Sequence, residues 1–203
     1  YAKEGEVAVR ITSQRDSMEE AEAAVTDMIA AMSDICGEYI YSINDEEMNE
    51  VVVRLLKNRG LTVSSAESCT GGKFAVSITD VPGASNVFGH GYVTYSVDAK
   101  VGVLGLDREL IEDKGVVSAE VAEEMAVAAR HLSGSDIAVS ITGYAGPDAD
   151  EGFNPGTAYI GYAYEGCSGS RLIKRRAVDR AWNRNNFTLN MQRTVYLILK
   201  GEL

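Results

Sequence analysis

The sequence predicts an α/β fold: a three-layer sandwich around a mixed sheet, with a small β-α-β segment ahead of it. Three observations carry this. After residue 44, short apolar runs alternate with amphipathic helical patterns. Two of the runs, at 61–67 and 136–142, end in small polar residues followed by glycine, as strands do where an α/β sheet meets a ligand. The last two runs, 156–164 and 171–178, are joined near 166–169 by a glycine-containing turn, which reads as an antiparallel hairpin added to the sheet.

Residues 6–12 (EVAVRIT) alternate like a half-buried strand. Ser17 with Glu20 forms a capping box for a helix whose Met18, Ala21, Val25, Met28, Ile29, Met32 and Ile35 share one face, and Gly37 stops it. Residues 39–42 read as a second short strand, so the segment is assigned to 1–43 and the main domain to 44–203. Asn44 or Asp45 caps the next helix, which turns Met48, Val51, Val52, Leu55 and Leu56 to one side and ends at Gly60. Then come the strand and turn of 61–72 (LTVSSAESCTGG), a helix over 73–79, a loop at 81–85, a strand over 88–96 and a helix over 97–104. Ser118 caps a longer helix with Val121, Ala122, Met125, Ala129 and Leu132 on its small apolar face. After the strand at 136–142, residues 148–155 are expected in a loop. A helix over 181–199 closes the chain on Phe187, Met191, Val195 and Ile198.

Composition narrows the function. A chain of 203 residues can bury a full core. Thirty acidic against nineteen basic residues, a formal charge of −11, argue against nucleic acid or an anionic membrane as partner. With no bilayer-length apolar run and no leader-like start, a soluble cytoplasmic protein is expected. The start at Tyr1 reads as a piece of something longer. Cys36, Cys69 and Cys167 are odd in number and far apart, which argues against disulfides or a zinc site.

The chemistry concentrates at 64–72. Ser64, Ser65, Ser68, Cys69 and Thr70 crowd a strand end, and Gly71 and Gly72 let a ligand approach the backbone at a helix start. Five small polar residues are more than a helix cap needs, although caps and a tight turn are the plainer explanation for any one of them. Neither a P-loop nor a G-x-G-x-x-G pattern is present. A serine nucleophile needs a base. Of the two histidines, His131 suits a helix C-terminus and His90 sits between two glycines in a strand. Lys100 is the other candidate, because burial can lower an amine's pKa enough for a Ser-Lys arrangement. Tyr95 precedes it by five residues across a strand-to-helix junction, so both side chains could point at one spot beyond the strand end; on the residues alone a solvated helix lysine is the favoured reading of Lys100, and a half-buried strand aromatic that of Tyr95. Cys69 at a helix start is a second possible nucleophile. Glu67 could orient a base or bind substrate, and its strand position turns it away from Ser68. Arg171, Lys174, Arg175, Arg176, Arg180 and Arg184 concentrate positive charge suited to a phosphate or carboxylate.

Together, AESCTGG at 66–72, TDVPGAS at 79–85, YVTYSVDAK at 92–100, GVVSAEVAEEMA at 115–126 and ITGYAGP at 141–147 resemble the blocks of the CinA C-terminal domain family, which includes nicotinamide-nucleotide amidases. Residues 1–43 are similar to the KH-like segment preceding that domain in longer CinA proteins. The resemblance implies hydrolysis of nicotinamide mononucleotide to nicotinate mononucleotide and ammonia, with no cofactor or metal and in a homo-oligomer, most simply a dimer. It implies Ser68 as nucleophile, Lys100 as base and Tyr95 in the proton network. Substrate would be bound by Thr142, Arg180, Cys69, Thr70, Gly71 and Gly143. Amides at the start of the 73–79 helix would form the oxyanion hole. Where the family shows Gly-Asp-Arg and a second Arg four residues on, this chain has Val178-Asp179-Arg180 and then Arg184, which leaves Arg184 as the alternative to Arg180. Val97 and the loop after Pro147 also depart from the family's pattern. The different class of reading is a catalytically silent nucleotide-binding or assembly module.

Overall fold

Strand β1 (Val63–Glu67) is buried at every position, and a strand with no wet face belongs in the middle of a sheet covered on both sides. The computed structural model describes residues 1–3, 5–148, 154–175 and 178–203. In it β1 pairs in parallel with β2 (Phe88–Val93) and with β3 (Ile137–Tyr144). The sheet continues antiparallel through β4 (Thr157–Tyr164) and β5 (Cys167–Lys174), giving the order β2-β1-β3-β4-β5.

Alternation along the strands separates two helical layers. Ala66 and Ala138 pack with Leu104, Ile111, Val121, Met125 and Ala129, so α4 (Val97–Leu104), α5 (Arg108–Lys114) and α6 (Ala119–Ser133) cover that face. Glu67, the next residue of β1, points the other way and binds the start of α3 (Lys73–Thr79), which packs with α7 (Arg180–Lys200); α7 in turn packs on α2 (Met48–Arg59). The expected mixed-sheet α/β sandwich is present. Among the described residues no helix is long and apolar enough to cross a membrane.

By its internal contacts the chain divides into Tyr1–Glu47 and Met48–Leu203. The first unit departs from expectation. Its helix, α1 (Met18–Cys36), is capped by Ser17 as expected, but the strands at 6–12 and 39–42 are not formed. In their place stand one bridge, Ala2 to Val7, and a 3-10 turn, Gly37–Tyr39. Strand-like alternation needs a hydrogen-bonded neighbour, and within this unit the two segments do not supply one to each other. No α1 residue is buried; Met18, Met28 and Ile35 are 74%, 51% and 85% exposed.

Smaller corrections follow local physics. Helix α2 begins at Met48, beyond the cap expected at Asn44 or Asp45; Asp45 itself stands at φ 56°, in the left-handed region. Strand β2 ends at Val93, where the chain turns so that the carbonyls of Thr94 and Tyr95 face the Lys100 ammonium. Helix α5, capped by the Asp107 side chain on the Glu109 amide, is too short for its periodicity to show in the sequence. Strand β5 starts at Cys167, four residues before the expected run, because Gly166 at φ 68° closes the hairpin immediately after β4. The expected loop at 148–155 and the end of the expected strand at 171–178 fall partly outside the described residues.

Helix α6 sits so close to the sheet that the Ser140 hydroxyl donates to the Ala122 carbonyl, and a Cβ built on Gly161 would overlap that same carbonyl. Backbone cannot be displaced as a side-chain tip can. Gly161→Ala should therefore lower unfolding free energy by at least about 2 kcal/mol in a urea titration, the range of overpacked cores. Gly102→Ala, on the exposed face of α4 with open space around it, should raise it by about 0.5–1 kcal/mol.

Candidate active site

Ser68 is the first residue beyond β1 and keeps the facing of Ala66, toward the α4 side of the sheet. Its amide donates to the Ile141 carbonyl at 3.1 Å, which ties it to the neighbouring strand. Helix α4 is set by the Ser96 side chain on the Ala99 amide and by Gly105 in left-handed conformation at its end. That placement buries Lys100 completely. Its Nζ donates to Ser68 Oγ at 3.1 Å and to the Thr94 carbonyl at 2.8 Å, with the Tyr95 carbonyl at 3.4 Å. Among the described residues no carboxylate pairs with it. Burial without a counter-ion lowers its pKa from 10.5 to about 8. An amine that can lose its proton only a little above neutral pH thus points at a hydroxyl, the arrangement that a Ser-Lys nucleophile needs.

Ser68, 8% exposed, separates Lys100 from a cavity of about 410 Å³. The cavity is lined by Ser68, Cys69, Tyr95, Thr142, Gly143 and Arg180 among the expected residues, and its volume suits a small-molecule ligand. Tyr95 reaches the pair through its carbonyl, while its phenol accepts from Arg180 Nη2 at 3.1 Å. Arg180 also donates to the Gly146 carbonyl at 2.6 Å, so its guanidinium stands at the rim. Thr142 Oγ1 donates to the Val116 carbonyl at 2.8 Å. Gly143 forms wall where a Cβ would come within 2.7 Å of the Ala158 Cα and the Thr157 carbonyl. Cys69 lines the cavity, but burial pushes its thiol up to about 12, which disfavours the thiolate near neutral pH.

Three expectations change. Thr70 and Gly71 do not line the cavity: Thr70 Oγ1 donates to Glu67, its carbonyl accepts from Arg184 Nη2 at 2.6 Å, and Gly71 lies under that same guanidinium. The α3 amides expected to form an oxyanion hole are occupied, since Gly72, Phe74 and Ala75 all donate to the Glu67 carboxylate at 3.0 Å. The basic cluster is dispersed: Arg171 bonds Thr194, Arg184 bonds Thr70, and of the cluster only Arg180 lines the cavity, with Arg176 outside the described residues. His90 stacks on Tyr92 on the edge strand β2, away from the cavity lining.

Sequence reasoning missed Val116, Val117, Tyr144, Ala145, Gly146 and Asp148. The G-V-V-S run before the α6 cap and the Ala-Gly-Pro turn after β3 were the available signals. Among the described residues no three His, Cys, Asp or Glu side chains gather as a metal site would require.

A mixed α/β sheet with a buried serine-lysine pair at the C-terminal edge of a parallel strand defines the class. The chain belongs to the CinA family: the family model described as the CinA C-terminal domain matches residues 45–198. A relative from Caldanaerobacter subterraneus subsp. tengcongensis, named for competence-damage induction, is 47% identical over 161 residues, 79% of this chain and 39% of its own length. A CinA-like protein of Kosmotoga olearia is 45% identical over 167 residues, 82% of this chain and 40% of its own. The chain therefore spans less than half of these relatives. Among solved structures, a CinA superfamily protein from Klebsiella pneumoniae superposes with a TM-score of 0.73 at 28% identity, covering 76% of this chain and 96% of that one. A competence/damage inducible protein from Agrobacterium tumefaciens gives 0.70 at 30% identity, with coverage of 76% and 97%.

The buried amine has a measurable signature. Its folded pKa, about 8, lies below the unfolded value, so between the two the unfolded chain binds more protons and stability rises with pH. Relative to Lys100→Met, wild-type stability in urea should climb from pH 8 toward 10 and be flat below 7.

Proposed function

We propose that the cavity hydrolyses the carboxamide of a pyridine mononucleotide, nicotinamide mononucleotide in the first instance, with Ser68 as nucleophile and Lys100 as its base. The single observation that carries the reading is the 3.1 Å contact between the Lys100 amine and Ser68 Oγ, with the amine's pKa near 8 and the hydroxyl facing a ligand-sized cavity. In this reading neutral Lys100 takes the Ser68 proton as Oγ attacks the carboxamide carbon. The resulting lysinium returns that proton to the departing nitrogen, so ammonia leaves and an acyl-serine remains. Water then attacks the acyl group, giving a proton to Lys100, which passes it to Ser68 Oγ as the Oγ–acyl bond breaks, so the acid is released with the serine hydroxyl and the neutral amine restored. The rim guanidinium of Arg180 is the group we assign to the substrate's anionic moiety, held in place by Tyr95 Oη and the Gly146 carbonyl.

Ammonia release from nicotinamide mononucleotide tests this directly. Ser68→Ala and Lys100→Met should each lose at least about a thousandfold in kcat, and Cys69→Ala should retain activity. The amine must be neutral to act, so kcat/KM should rise about tenfold per pH unit below 8 and level off above it. Binding without turnover in wild type would instead favour a silent nucleotide-binding module. Activity surviving Ser68→Ala but not Cys69→Ala would move the nucleophile to the thiol.

A further inference from the structure

The turn that carries Ser68 is held by two charged side chains, and the reaction written above uses neither. The Glu67 carboxylate is buried and accepts from Thr70 Oγ1 at 2.8 Å and from the amides of Gly72, Phe74 and Ala75 at 3.0 Å, with Ser65 Oγ at 3.3 Å. Arg184 in α7 donates Nη2 to the Thr70 carbonyl at 2.6 Å. Gly71 lies close beneath it: at φ 61°, an added Cβ would stand 3.2 Å from Nη2. The one remaining bond within the turn runs from the Gly71 amide to the Ser68 carbonyl at 3.0 Å.

We propose that Glu67 and Arg184 are positioning residues that together lock the 68–72 turn, so that Ser68 Oγ stays in hydrogen-bond reach of Lys100 and faces the cavity. The inference rests on Ser68 being the nucleophile of the preceding reading. It assigns both residues a role away from substrate: neither lines the cavity, whereas Ser68 and Arg180 do. A neutral amide cannot stand in for the carboxylate. Glu67→Gln keeps the shape but turns an NH2 toward N–H or O–H donors that both carboxylate oxygens now accept, whichever way the amide is oriented. The loss is geometric, and misplacing a reacting atom by about 1 Å costs on the order of a hundredfold in rate.

The test measures three things in Glu67→Gln, Arg184→Ala and Arg184→Lys, each at a fixed interval below that variant's Tm. These are kcat and KM for ammonia release from nicotinamide mononucleotide, the rate at which a fluorophosphonate probe labels Ser68, and hydrogen exchange at the Gly72, Phe74 and Ala75 amides. For Glu67→Gln, kcat and labelling should fall together by about 30- to 100-fold. KM should stay within about threefold and the pH midpoint of the rate should not move, while the three amides exchange faster. Arg184→Ala should lose about tenfold in the same two rates, and Arg184→Lys should recover part of it because an ammonium still reaches the Thr70 carbonyl. Labelling and kcat at wild-type rates in Glu67→Gln would overturn the proposal. So would a change confined to KM, or a shifted pH midpoint, which would make Glu67 an electrostatic partner of Lys100. Should Glu67→Gln fail to fold, the two Arg184 variants, which leave the carboxylate and its donors intact, decide on the same readings. If wild type is labelled at Ser68 but releases no ammonia, the amidase reading falls and the clamp is judged on labelling alone. If wild type is not labelled, the nucleophile assignment falls and the clamp falls with it.

Discussion

Burying a primary amine with no counter-ion is the constraint around which this domain is arranged. Lys100 is wholly inaccessible, and the oxygens around it are two backbone carbonyls and one hydroxyl. Removing an ammonium from water is expensive, so the group gives up part of its basicity instead. The arrangement fixes the path of the chain between β2 and α4. Thr94 and Tyr95 must leave the sheet with their carbonyls turned inward, and Ser96 must start the helix at once so that Lys100 falls in its first turn.

The sheet keeps a second buried charge apart from the first. Glu67 and Ser68 are consecutive and face opposite layers, so the carboxylate serves α3 while the hydroxyl meets the amine from α4. Salt-bridge contact between Glu67 and Lys100 would raise the amine's pKa and hold it protonated; strand alternation prevents that contact without any special device. The carboxylate's own charge is met by the amides at a helix N-terminus, where an anion is most easily held. That use withdraws the amides of Gly72, Phe74 and Ala75 from service as oxyanion donors.

Much of this was legible in the sequence, because periodicity and punctuation report burial and backbone geometry. The apolar faces at Val51, Val52 and Leu56, and at Phe187, Met191 and Val195, are buried as their spacing requires. Ser68 could be singled out from its place after an apolar run, and Lys100 could be named as a candidate base, but only the motif resemblance favoured it, since a buried lysine in α4 has the same local pattern as a solvated one. Glu67 was placed on the correct side by alternation alone, but its hydrogen bonds to residues five, seven and eight positions on depend on how the turn folds back. Strand β5 was misplaced because an edge strand with one neighbour need not carry an apolar alternation, and CSGSR has none. The strands expected at 6–12 and 39–42 failed for the converse reason. Residues 6–12 alternate, but among the described residues their pairing is limited to the bridge of Val7 with Ala2, and propensity without a ladder does not make a sheet.

The closeness of α6 to the sheet also bears on how the cavity can adapt. Val116 and Val117 lead directly into that helix, Thr142 fastens the Val116 carbonyl, and the contacts of Ser140 and Gly161 with Ala122 leave no slack behind them. That makes this stretch the rigid part of the lining. Tyr95, 60% exposed, and Arg180, an exposed side chain held by Tyr95 Oη and the Gly146 carbonyl, are its open part. A change in the bulk of a guest is then taken up by those two side chains before it strains the valine side.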